Sequence, residues 1–221
     1  MYNAFGKTAA EWSRDNGILG PNVVLINGCQ LTAGDIEILK ETGTHLSHSP
    51  VANMKMATGI LPASDVLHAG VNLALGTDGA LNNNTYDMFA EMKAACLLQN
   101  SSKRSARALR PEHALEMATV NGAKAVGKTD LGSIEVGKEA DIILVDMMNP
   151  RTRPQHDVAS NLVFSASASQ VRHVFVAGKH VLKNYQLQGV SELEIMRKVD
   201  SAADEIREIA AETNTPLWPV C

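Results

Sequence analysis

Residues 23–39, VVLINGCQLTAGDIEIL, read as one strand, one loop and one helix. Val23-Val24-Leu25-Ile26 is a continuous β-branched-rich run, the pattern of a strand buried on both faces. Thr32 stands three residues before Asp35, as in a capping box, and Ile36, Ile38 and Leu39 then carry the helix to a stop at Gly43. Working outward, Thr44 to Ser47 predicts a second strand ending at His48. A long loop over 49–59 then leads into a helix over 60–69. Val71 to Leu75 predicts a third strand, running into Gly76-Thr77-Asp78-Gly79. Three strand-to-helix units of this size are consecutive parallel crossovers, so the fold class is α/β.

Beyond them, 81–85 reads as a polar loop. Met88, Met92, Ala95 and Leu98 mark the inner face of a strong helix, and Pro111 and Glu112 open another through Met117. The character changes at Thr129. Glycines now punctuate short β-rich runs at 140–145, 171–177 and 180–182, and Ala177-Gly178-Lys179 suits a hairpin turn. From Ser191 the helical period returns, with Leu193, Met196, Val199, Ala203, Ile206 and Ala210 on one stripe and mixed charges opposite. Internal repeats and low-complexity tracts are absent from the sequence.

The chain has 221 residues, 45% of them apolar, enough for a sizeable core. Twenty Lys and Arg against 24 Asp and Glu leave a net charge of −4, which argues against a nucleic-acid partner. No apolar run approaches the ~18 residues of a membrane span, and the first 17 residues lack the apolar core of a secretion signal. Three distant cysteines, Cys29, Cys96 and Cys221, make neither a disulfide framework nor a CxxC site. These features predict a cytoplasmic protein without membrane contact. A complete (β/α)8 barrel takes about 250 residues, so the chain is too short for one plus an accessory domain.

In parallel α/β folds, functional groups gather where strands end. Asn27, His48 and Asp78 stand at the three predicted ends, 21 and 30 residues apart. Asp78, between Gly76 and Gly79, can ligate a divalent metal and take a proton from metal-bound water, or simply close a turn on backbone N–H groups. His48 can be a ligand, a neighbour of the site or a loop-closing hydrogen-bonder; His45 reads as a packing residue. The other five histidines show neither HxH nor HExxH spacing. Asn82, Asn83 and Asn84 can cap the next helix or line a pocket, capping being the default. No GxSxG, phosphate loop or GxGxxG occurs.

Taken together, Leu19 to Leu25, Gly43 to Lys55 (GTHLSHSPVANMK), Leu75 to Gly79 with Asn82 to Asn84, and Asp87 to Lys93 (DMFAEMK) resemble the amidohydrolase superfamily. The nearest branch is the aminohydrolase and chlorohydrolase group of S-adenosylhomocysteine and methylthioadenosine deaminases, guanine deaminases and triazine hydrolases. Residues 131–142, LGSIEVGKEADI, resemble that family's entry into its small β-sandwich. The resemblance implies a barrel enzyme with one zinc or iron ion, held by an HxH pair, a strand-5 His and a strand-8 Asp. It places Asp78 on strand 8 as metal ligand and proton shuttle, His48 at the end of strand 7, and Asn27 where the family carries its strand-6 His. Asn27 can hydrogen-bond but cannot exchange a proton. The HxH pair and strand-5 His have no counterpart, and one carboxylate does not hold a catalytic zinc.

The implied organisation is a partial (β/α)8 barrel (strands 6 to 8) over residues 1–128, a partial β-sandwich over 129–190, and a C-terminal helix and tail over 191–221. The implied function is that of the C-terminal part of a metal-dependent deaminase or chlorohydrolase acting on a small cyclic amidine-like substrate. The alternative is a non-catalytic half-barrel serving as an assembly unit. Either case leaves the Val23–Ile26 edge uncovered, which predicts a homo-oligomer or a complementary N-terminal half as partner.

Overall fold

Local capping signals set the first elements. In the computed structural model, which describes residues 5–213, Thr8 makes a capping box with Glu11 and opens α1 (Ala9–Asp15). Cys221 and the expected tail beyond Thr213 lie outside the described residues. Strand β1 (Val24–Ile26) leads to α2 (Ala33–Thr42), where Thr32 and Asp35 form the expected reciprocal capping box. Gly43 ends α2 in the left-handed region, at φ 69°. The Thr8 hydroxyl also donates to Asp35, tying α1 to α2.

Strand β2 (His45–His48) follows, then the short helices α3 (Pro50–Lys55) and α4 (Ala63–His68), then β3 (Leu73–Leu75). The three strands are parallel in the order β1-β2-β3, with Ile26 opposite Ser47 and Ser47 opposite Ala74. After β3 come α5 (Ala80–Asn83), α6 (Met88–Ser102), α7 (Pro111–Ala118) and α8 (Val120–Ala125). The core lies between the strands and this helical layer, with Leu39, Leu46, Leu61, Leu73, Leu109 and Met117 fully buried. Leu25, Leu46 and Leu73 stand in register and point into it.

Four expectations need correction. β1 is not buried on both faces: Leu25 packs on the core, but Val24 and Ile26 point to a face no helix covers, and Ile26 is 65% exposed. The segment 49–59 is not a plain loop, because Pro50 starts α3. The segment 81–85 is not wholly loop either: Ala80–Asn83 forms one helical turn, closed by Asn84 at φ 73°. On α6 the buried face comprises Phe89, Met92, Ala95, Cys96 and Gln99, with Met88 only partly buried, so the expected stripe is rotated.

The remainder forms a second sheet. β4 (Ile142–Val145), β5 (Val171–Val176), β6 (Lys179–Lys183) and β7 (Gln186–Leu187) pair antiparallel in chain order. Ala177 and Gly178, at φ 46° and 75°, make the two-residue turn between β5 and β6, with Val176 opposite Lys179. Both φ values are positive, as a type I′ turn requires. Between β4 and β5 a short π-helical turn (Asn161–Ser165) sends Val163 into the first core. Helix α10 (Glu192–Glu212), numbered after a single turn α9 (Val158–Ser160), ends the described chain, and Ser191 caps it. No described helix is long and apolar enough to cross a membrane.

Candidate functional site

Parallel pairing brings the three predicted residues to one edge. The Asn27 N–H donates to Ser47 O at 2.9 Å, and the Gly76 N–H donates to His48 O at 2.8 Å. The chain therefore leaves β1, β2 and β3 at the same end of the sheet, with Asn27, His48 and Asp78 at successive exits. Asn27 and Asp78 both adopt left-handed backbone, at φ 72° and 60°. For a side chain with a Cβ this conformation costs about 1 kcal/mol, least for Asn and Asp, and such strain gathers at functional sites.

Asp78 is half-buried. Its Oδ1 accepts from the Gly79 N–H at 2.6 Å and from Asn82 Nδ2 at 3.3 Å. The turn-closing role foreseen for this aspartate is thus real, but it occupies one oxygen. Among the described residues nothing donates to Oδ2. Asn27 Oδ1 accepts from Asn53 Nδ2 at 2.9 Å, and Asn53 is buried in α3. The bond fixes the Asn27 amide against the wall of the site.

His48 is fully enclosed, with neither ring nitrogen hydrogen-bonded. Burial alone pushes its pKa down to about 4, so the ring is neutral at physiological pH. Both of its ring nitrogens are closed to solvent in this chain. His45 is also buried, its Nε2 hydrogen-bonded to Pro21 O at 3.1 Å, in keeping with a packing role.

The asparagines do not cap the following helix. Asp87 does, accepting from the Phe89 and Ala90 N–H groups at 2.8 and 3.3 Å. Asn83 instead donates to Thr77 O at 2.6 Å and to Glu91 Oε1 at 2.5 Å. Glu91 is fully buried and accepts from the Val51 N–H through Oε2 at 3.2 Å. Desolvation raises its pKa, the bonds from Asn83 and Val51 oppose the shift, and the charges of Asp87 and Asp78 add to it. Glu91 thus braces the Asp78 loop from behind. Sequence reading missed it, although a carboxylate beside Met92 on an apolar stripe was a usable signal. Cross-strand pairing also joins His173 Nδ1 and His180 Nε2 at 2.9 Å, with Phe175 stacked on His180, far from any HxH spacing.

Among the described residues no group of three or more His, Cys, Asp or Glu could hold a metal. A catalytic zinc typically takes three protein ligands. Asp78 alone supplies one carboxylate oxygen, so these residues do not by themselves fit a zinc or iron ion.

Comparison with known proteins gives a consistent result. The model of the amidohydrolase family matches residues 3–181. A 5'-deoxyadenosine deaminase of Methanosarcina mazei is 42% identical over 206 residues, covering 93% of this chain and 48% of that protein. A 5-methylthioadenosine/S-adenosylhomocysteine deaminase of Teredinibacter turnerae is 42% identical over 192 residues, 86% of this chain and 43% of its own. The crystal structure of an adenosine deaminase from Xanthomonas campestris with bound zinc superposes with a TM-score of 0.91 at 35% identity, over 94% of this chain and 47% of that one. The chain thus spans about half the length of the curated relatives it matches.

Proposed function

The chain belongs to the amidohydrolase family, and from that membership we propose that it is the C-terminal part of a metal-dependent hydrolase of the deaminase type. Its substrate class would be a small cyclic amidine, such as the base of an adenine nucleoside. The relatives named above as nucleoside deaminases support this class. The observation that carries the reading is Asp78: a carboxylate at a strand end, one oxygen anchored by the Gly79 N–H and the other open. That oxygen is the one metal ligand the described residues would offer, and the zinc in the Xanthomonas campestris structure makes a divalent ion the natural partner. The remaining ligands must come from outside the described residues.

The chain's own residues divide the remaining work. Asn27, held by Asn53, orients a bound group by hydrogen bonding and cannot carry a proton. Asp78 Oδ2 can accept one. Asn83, Glu91 and Val51 hold the Asp78 loop to α3 and α6.

A second reading, a non-catalytic assembly unit, has its own support in Asn27 and in the bare β1 edge. Both readings require a partner over that edge, a complementary half or a second copy. Co-purifying the chain with the N-terminal half of a related deaminase, then measuring bound metal and ammonia release from 5'-deoxyadenosine, separates them. The catalytic reading expects about one metal per complex and turnover that Asp78→Asn abolishes. A stable complex without metal or turnover sinks it and leaves the assembly role.

A further inference from the structure

Helix α10 runs for 21 residues and buries none of them; Ile195, Val199, Ile206 and Ile209 all stand exposed. Among the described residues its ion pairs, Lys198 with Glu194 and Arg207 with Asp204, stay within the helix. A helix in water is held chiefly by packing its apolar face, so a bare face of this length implies a partner.

The spacing says what kind of partner. Ile195, Val199, Ala202, Ile206 and Ile209 follow one another at steps of four, three, four and three residues. That is a heptad seam, with Val199 and Ile206 at a and Ile195, Ala202 and Ile209 at d, a surface that a second helix fills knob into hole. The positions beside the seam choose the direction. Met196, Ala203 and Ala210 stand on one side, Lys198, Glu205 and Glu212 on the other. A parallel pair sets Lys198 and Glu205 against Ala203 and Ala210, and charge then contributes nothing. An antiparallel pair sets the charged side against the charged side and the apolar side against the apolar side.

Charge also selects the register. With Val199 opposite Ala202 of a second α10, and Ile195 opposite its Ile206, Lys198 comes within about 3 Å along the axis of Glu205 on the other helix. The two-fold symmetry repeats that contact, and Met196 lies over the small Ala203 on the opposite side. Sliding one helix by seven residues either way sets Lys198 against Lys198 or Glu205 against Glu205, which repel.

We propose that α10 is a dimerisation helix, pairing antiparallel with α10 of a second copy of this chain about a two-fold axis level with Asp200 and Ser201. This surface is separate from the bare β1 face and serves the chain whether or not it is catalytic. The seam is short, so the dimer dissociates on dilution and leaves α10 bare in the isolated chain.

The test is sedimentation equilibrium of the full chain over a concentration series. The wild type should pass from monomer to dimer. Ile206→Asp puts a carboxylate into the seam of both copies and should weaken the dimer about a hundredfold. Lys198→Glu should weaken it roughly threefold to tenfold, and adding Glu205→Lys should restore it, because each pair is then reversed at both ends. All of these positions are exposed in the single chain, so the variants should keep its fold, which circular dichroism checks. Restoration by the swap is specific to this register, since a parallel pair leaves Lys198 facing alanine. A chain that stays monomeric throughout overturns the proposal. So does association that survives Ile206→Asp but is lost in Ile26→Lys, which would place the contact on β1. A double variant no tighter than Lys198→Glu overturns it as well.

Discussion

Leu73 in β3 and Ile206 in α10 both lie on apolar stripes that the sequence displays, yet Leu73 is fully buried and Ile206 is 59% exposed. The contrast extends to the regions around them. Residues 25–125 close a continuous core between three strands and their helices. In the second sheet Ile143 and Leu144 are each half exposed, and along α10 no residue is buried. Periodicity therefore specifies that a helix or strand forms and which face is apolar. It does not specify that anything covers that face. Val24 and Ile26 show the same within one strand, covered on the Leu25 side and bare on the other.

Four measurements sharpen or break this comparison. In urea unfolding, Leu73→Ala should cost roughly 3–5 kcal/mol, the lost transfer energy plus a cavity, whereas a loss below about 1 kcal/mol would mean the core is loosely packed. The next effect concerns pH. His48 has a folded pKa of about 4 against 6.5 for the free side chain, so the folded state refuses a proton that the unfolded chain accepts. The stabilisation is complete above pH 6.5 and is lost as pH falls towards 4, on the order of 3 kcal/mol in all. The wild-type stability should therefore fall relative to His48→Phe over that interval, and parallel profiles would contradict the burial of the ring. Ala177→Gly should stabilise by roughly 0.5–1 kcal/mol in thermal melts, because alanine is held at φ 46° in the β5–β6 turn. Destabilisation there would mean the turn relaxes to another type. Smallest is Ile206→Ala, within about 0.5 kcal/mol for the isolated chain. A loss several times larger would show that α10 is already covered by a partner.

Much of the local structure was legible because its causes are local. Thr32 with Asp35, Gly43 after α2 and Ala177-Gly178 between β5 and β6 act within four residues of themselves. The helices α3 and α5 were not legible for the opposite reason. Ser49 gives α3 no side-chain cap; the Val51 N–H is satisfied by Glu91, forty residues on. In α5, the Leu81 carbonyl accepts from Lys55 Nζ at 2.9 Å, again from a distant element. Of the candidate site, Asn27, His48 and Asp78 were legible as strand-end residues, while the Asn83–Glu91 brace and the enclosure of the His48 ring were not.

The sequence by itself determined the parallel α/β order, the caps and turns, the acidic balance and the family resemblance, since these depend on residue type and short spacing. Only the tertiary structure decided that Asp78 keeps one oxygen open, that His48 is sealed from solvent, that Asn53 fixes Asn27, and that β1 and α10 leave their apolar faces bare. Each of those outcomes depends on which distant group fills the neighbouring space, and burial and hydrogen bonding are settled there.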